Sequence, residues 1–152
     1  MLSVLIDPSD IKVGLLSSEK EECLAELLEV IRHRHPEIDR EEALQSLINR
    51  EDKTSTAILP FIAVPHAVCK SLDKTAISIG ISKSGIDFES ENSENPIVNI
   101  IFEILFNKDD IETMVKILRD ILQISSHPDF FSQILNANSP NEVYNIIEYL
   151  ES

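Results

Sequence analysis

The sequence predicts an α/β sandwich with helices on both faces of a central sheet. Three observations carry this expectation. Two amphipathic helical stretches precede residue 54, strand-like segments fill the middle, and the last third returns to a helical period. Helices before the strands and helices after them supply one layer for each face of the sheet. A chain of 152 residues is long enough to bury a sizeable core as one domain over 1–152, and no internal repeat or linker divides it.

Taken in order, Ile11-Lys12-Val13-Gly14-Leu15 can form a short strand. Ser18-Glu19-Lys20-Glu21 reads as a capping box, in which the serine accepts an orphan backbone N–H and the glutamate reaches back. Leu24, Leu27, Leu28 and Ile31 follow at i, i+3, i+4, i+7, which buries one stripe of the first helix. His33 and His35 sit at its frayed end, and Pro36 stops it. The second helix starts near Asp39, buries Ala43, Leu44, Leu47 and Ile48, and ends at Asn49-Arg50-Glu51-Asp52. From Thr75 to Ser82, Ile77, Ile79 and Ile81 alternate with Ala76, Ser78 and Gly80, a strand with one bulky and one small face. Lys83-Ser84-Gly85 is expected to turn the chain, and Glu89 to Pro96 is a polar connection.

The run Ile97 to Phe106 is the most apolar of all and fits an interior strand covered on both faces. Glu103 within it reads as a strand-end or paired carboxylate. Beyond it, Ile111, Met114, Val115, Leu118, Ile121 and Leu122 keep a helical period. Pro128 opens a shorter helix with His127 at its N-cap, and Ser139-Pro140-Asn141-Glu142 starts the last one.

Composition limits the function. With 27 acidic against 13 basic residues the net charge is −14, which argues against nucleic-acid or anionic-membrane binding and favours solubility or a basic partner. No apolar run reaches transmembrane length, and Met1 to Asp7 lacks the pattern of a signal peptide. Cys23 and Cys69 show no C-x-x-C spacing and read as reduced thiols of a cytoplasmic protein. The four histidines show no ligand spacing with Asp, Glu or Cys, so a metal hydrolase has little to stand on.

The stretch Thr54 to Ala67 is where chemistry concentrates. A short apolar run, Phe61 to Val64, stops at Pro65-His66, and Pro65 removes a ladder donor. His66 is expected just past the strand end, where an imidazole can titrate near neutrality, bind a metal or act as a nucleophile. An ordinary polar loop residue is the other reading at this point.

Arg50-Glu51, Ser55-Thr56, Ile62-Ala63-Val64-Pro65-His66, Gly85-Ile86-Asp87-Phe88, Pro96-Ile97-Val98 and Asp109-Asp110 occur in an order that spans nearly the whole chain. This order resembles the fructose/mannitol-type enzyme IIA domain of the bacterial sugar phosphotransferase system, nitrogen-regulatory members included. The resemblance implies a mixed sheet in a three-layer sandwich and a phosphocarrier without cofactor. It implies that His66 accepts a phosphoryl group from HPr and passes it to a IIB protein or domain, or serves a regulatory target protein. Arg50 matches an arginine near that site, Ser55 and Thr56 can supply hydroxyls, and Arg50 can equally cap its own helix. Two departures stand out. The family's glycine-rich run falls here on Thr56, Ala57, Leu59, Pro60 and Phe61, and a second histidine common in the family falls on Met114. They keep a second reading open, an interaction module of the same fold without efficient phosphotransfer.

Overall fold

The computed structural model describes residues 1–89 and 96–152, so most of the polar connection expected over Glu89–Pro96 lies outside the described residues. The described elements run α1 (Leu2–Leu5), a single 3-10 turn (Pro8–Asp10), β1 (Ile11–Val13), α2 (Lys20–Arg34), α3 (Arg40–Lys53), β2 (Ile62–Ala63) and β3 (His66–Val68). They continue with β4 (Ala76–Asp87), β5 (Ile97–Phe106), α4 (Ile111–Ser125), α5 (Phe130–Asn136) and α6 (Pro140–Glu151). The sheet is mixed. Strand β1 pairs parallel to β4, β4 antiparallel to β5, and both β2 and β3 parallel to β5.

Strand β5 is central because its side chains are apolar on both faces, and each face feeds a different helical layer. Ile100, Phe102 and Ile104 join Ile77, Ile79 and Ile81 of β4 beneath α4, α5 and α6. Ile101 and Leu105 point the other way, into clusters shared with α2 and α3. The small face predicted for β4 is what lets α2 approach. A Cβ on Gly80 would lie 2.7 Å from Leu15 and 2.8 Å from Leu27, and the Ser78 hydroxyl donates to the Leu27 carbonyl.

Several local expectations are corrected. The capping box at Ser18 does not form: α2 begins at Lys20 without a side-chain cap. The backbone there is already engaged, since Ser18 O accepts from Asp87 N and Glu19 bridges Asp87. Lys83-Ser84-Gly85 is not a turn but an irregularity within β4, with the register shifting between Ile81 and Ile86. Gly85 absorbs it at φ +90°, a conformation that side chains disfavour. Helix α5 starts at Phe130 rather than Pro128, and His127 is not its cap. On α4 the buried stripe is Ile117, Ile121 and Ile124; Ile111, Val115 and Leu122 are exposed, rotated off the predicted face. Asp39 and Ser139 cap α3 and α6 as the sequence implies, each accepting the N–H three residues on.

Candidate functional site

The region around His66 is assembled from β3, the end of α3 and the start of α4. The pairing of the 62–68 segment with β5 keeps the same offset on both sides of Pro65, Ile62 opposite Ile100 and His66 opposite Ile104. Pro65 cannot donate, but its carbonyl accepts from Ile104 N at 2.8 Å. The strand is therefore interrupted and resumes. His66 opens β3 rather than standing past a strand end, which corrects the expected placement.

Within this segment the His66 ring is anchored. Its Nδ1 lies 2.8 Å from the Val64 carbonyl. A carbonyl only accepts, so Nδ1 carries the proton and Nε2 keeps its lone pair. The half-buried ring lines a cleft of about 360 Å³ with Ser46, Asn49, Arg50, Lys53, Phe106 and Met114 among its walls. Ser46, Asn49, Arg50 and Lys53 are spaced i, i+3, i+4, i+7 on α3, so one helix face forms one wall. That face is fixed in depth by the Ser46 hydroxyl, which donates to Val68 O of β3 at 2.8 Å.

Arg50 lies at both places that the sequence left open for it, the end of its helix and the cleft beside His66. Its Nη1 donates to Thr54 O at 2.9 Å, satisfying a carbonyl at the helix end, while the side chain lines the cleft. Among the described residues, neither Arg50 nor Lys53 forms an ion pair. Two cations with no carboxylate partner beside a histidine form a site suited to an anion, in a chain that is otherwise strongly acidic. Lys53 was not singled out by the sequence; its helical spacing from Arg50 was the available signal.

Ser55 and Thr56 are not brought to this cleft. Ser55 Oγ accepts from Ala57 N at 3.2 Å and lines a separate depression with Lys20 and Asp52. Thr56 is 2% exposed, and its backbone N–H and hydroxyl both donate to the Glu51 carboxylate, each at 2.8 Å. The hydroxyl is thus already committed. The run that replaces the glycines keeps one of their properties, because Phe61 adopts φ +66°. Its carbonyl accepts from Asn99 N and Ile100 N, and its ring packs on Phe131 at 5.4 Å between centroids.

Residues 4–149 match the model of the family described as "Phosphoenolpyruvate-dependent sugar phosphotransferase system, EIIA 2". The chain belongs to this family. Among curated relatives, this EIIA domain is 29% identical over 146 residues to the fructose-specific EIIABC component of Bacillus subtilis, covering 96% of this chain and 23% of that protein. It thus spans about a quarter of that relative's length. Nitrogen regulatory protein IIA-Ntr from Neisseria meningitidis superposes with a TM-score of 0.85 at 16% identity, over 96% of this chain and 98% of that one. Enzyme IIA-mannitol of Escherichia coli, solved in complex with phosphorylated enzyme IIB-mannitol, gives 0.80 at 19% identity, over 95% and 97%. At such identities the structural likeness establishes the three-layer fold. Among the described residues no helix is long and apolar enough to cross a membrane.

Proposed function

We propose that this EIIA domain is a phosphocarrier in which His66 takes a phosphoryl group from HPr and hands it to a IIB protein or domain. The observation that carries the reading is the anchored ring: Nδ1–H on Val64 O, Nε2 without a hydrogen-bond partner among the described residues, and the side chain lining a cleft with two cations. The Nε2 lone pair attacks phosphorus while the donor's phosphorus–nitrogen bond breaks and its electron pair returns to the donor imidazole. His66 then carries the phosphoryl group on Nε2 with its proton still on Nδ1, an imidazolium whose charge the Val64 carbonyl stabilises. That charge keeps the new bond labile, and onward transfer runs the same exchange toward the acceptor. Arg50 and Lys53 balance the phosphoryl charge. Thr56 and Ser55 act on the loop's conformation rather than on the phosphoryl oxygens. A cytoplasmic setting suits the two cysteines, both buried and unpaired.

The test is incubation with phosphorylated HPr, followed by a search for an acid-labile, base-stable phosphoryl group and its assignment to Nε2 by phosphorus NMR. The label is expected on the wild type and absent from His66→Ala. Label that persists in His66→Ala, or that never appears in the wild type, overturns the carrier reading. The second outcome favours the interaction module, for which Met114 in place of a second imidazole is the specific support.

A further inference from the structure

The buried carboxylate of Glu51 is not among the groups that line the cleft around His66. It is 3% exposed on α3, facing the sheet, one residue past Arg50. Its two oxygens accept from one residue, Thr56: Oε1 from the backbone N–H and Oε2 from the hydroxyl, both at 2.8 Å. Thr56 in turn offers its carbonyl to Val64 N at 3.0 Å and to Ile58 N at 2.9 Å. Val64, 1% exposed, then presents its own carbonyl to His66 Nδ1 at 2.8 Å. A continuous run of hydrogen bonds therefore leads from the interior of α3 to the ring.

From this run we infer that Glu51 is a positioning residue for His66, setting through Thr56 and Val64 which ring nitrogen is free to react. The inference rests on the carrier reading for its functional meaning. The 54–61 segment has no regular structure except a tight turn closed by Ile62 N on Leu59 O, and one of its residues, Phe61, holds a left-handed backbone. Such a segment has many competing conformations, and a buried two-point attachment at Thr56 selects one of them. Where Val64 O points decides whether Nδ1 keeps its proton. If that carbonyl turns away, the imidazole samples both tautomers, and the fraction with a lone pair on Nε2 falls. The reacting nitrogen is also displaced, and small displacements of a nucleophile are costly in rate.

Geometry rather than charge is the proposed role, so the amide and the truncation must differ. In Glu51→Gln, the amide oxygen accepts from Thr56 N–H and the amide N–H donates to the Thr56 hydroxyl, which rotates to accept. Both attachments survive. In Glu51→Ala both vanish, and in Thr56→Val only the hydroxyl contact is lost. Two measurements apply to each variant: the rate of phosphorylation from phosphorylated HPr, and the protonation of Nδ1 and Nε2 of unphosphorylated His66 by nitrogen NMR. Glu51→Gln should stay within roughly threefold of wild type with an Nδ1–H ring. Glu51→Ala should fall roughly tenfold or more and show mixed tautomers, with Thr56→Val between them. A folded Glu51→Ala with the wild-type rate and tautomer overturns the inference, as does a Glu51→Gln as impaired as Glu51→Ala. Should Glu51→Ala not fold, Thr56→Val decides: wild-type behaviour in both measurements overturns it. Failure of the carrier reading is distinguishable, because the wild type then takes no label while the tautomers still respond to Glu51.

Discussion

Arg50 donates from Nη1 to Thr54 O and also lines the cleft, so in the proposed carrier it meets the phosphoryl group without leaving its helix. Loss of one such charge-assisted contact costs about 1.5–3 kcal/mol, which is about one to two decades in transfer rate. Arg50→Ala should slow phosphorylation from HPr by that amount, and an unchanged rate in a folded variant assigns the compensation to Lys53 or to backbone donors instead. Met114 lines the same cleft, so Met114→His is expected to raise the rate by supplying a donor the thioether lacks. Glu103 poses a different question. The sequence reads it as paired or at a strand end, yet it lies mid-strand in β5 with 0% exposure, and among the described residues neither carboxyl oxygen has a hydrogen-bond partner. Burial, and then the nearby Glu51, raise its pKa well above the ordinary 4.5. The native state therefore holds this proton more tightly than the unfolded chain does. Its stabilising effect is full below pH 4.5 and declines by about 1.4 kcal/mol per pH unit above it, until the native carboxyl itself ionises. Glu103→Leu removes both the orphan group and this decline. Urea unfolding at pH 5 and pH 7 should find the variant more stable than wild type, with the gap wider at pH 7; a gap that is constant or narrows with pH contradicts the buried neutral acid.

The Glu26 side chain ties helix α2 to the segment that follows β1, beside the packing of Leu15 on Leu27. Its carboxylate accepts from the backbone N–H groups of Leu16 and Ser17 and from the Ser17 hydroxyl, and it pairs with Lys12 at 2.7 Å. Burial pushes the Glu26 carboxyl up, but these contacts outweigh it and hold the group down at about 2. A depressed pKa means stability that is present above the ordinary value and lost as pH falls from 4.5 towards 2. Glu26→Ala should cost about 1.5–3 kcal/mol at pH 7, by removing the charge-assisted hydrogen bonds that Leu16 and Ser17 donate. Its penalty should shrink by pH 3, which acid-titrated urea curves would show; a penalty independent of pH would mean that packing, not the charge, dominates. Elements of this kind explain how much was legible beforehand. The stripe Leu24–Ile31 and the run Ile97–Phe106 follow from local periodicity and emerged as α2 and β5. Strand β3 was missed because a proline precedes only three residues whose pairing comes entirely from β5, far along the chain. Ser18 failed as a cap because Asp87 claims its carbonyl, again a distant partner. At the cleft, His66 and Arg50 were readable from their motifs. Lys53 was not, and Glu51 stood in the Arg50-Glu51 pair without a role, since what matters about both is which wall or loop they reach.

At the scale of the whole molecule, the two helical layers are packed against opposite faces of one sheet, and each cysteine reports on the layer formed by α2 and α3. Cys23 is fully buried with Leu27, Ala63, Phe88 and Ile101, on the inner face of α2 and against β5. Burial pushes its thiol up beyond any reactive range, with Glu103, Glu26 and Glu51 adding to the effect. Reaching that sulfur requires α2 to leave the sheet, which also uncovers Leu24, Leu28 and Ile31 and so amounts to opening the core. Cys69 is equally buried, but it lies just after β3, tied by its N–H to Phe106 O and by its sulfur to the Ser71 hydroxyl at 3.3 Å. Its cover is a loop rather than a helix. The 69–75 connection is held by the Lys70 N–H on Glu42, the Asp39 N–H on the Ser71 hydroxyl and Asn107 on Leu72 O, with Leu72 buried beside Cys69. Releasing these contacts exposes the sulfur while α2 stays on the sheet. Thiol labelling in rising urea, below the unfolding midpoint, separates the two. Cys23 should label at a rate whose urea dependence equals that of global unfolding, with protection of about a thousandfold or more in water. Cys69 should label faster and with a weaker urea dependence. Both thiols should titrate in full denaturant without reductant. If Cys23 labels independently of urea, α2 detaches as a separate unit, and the cooperative three-layer core argued from its burial is wrong.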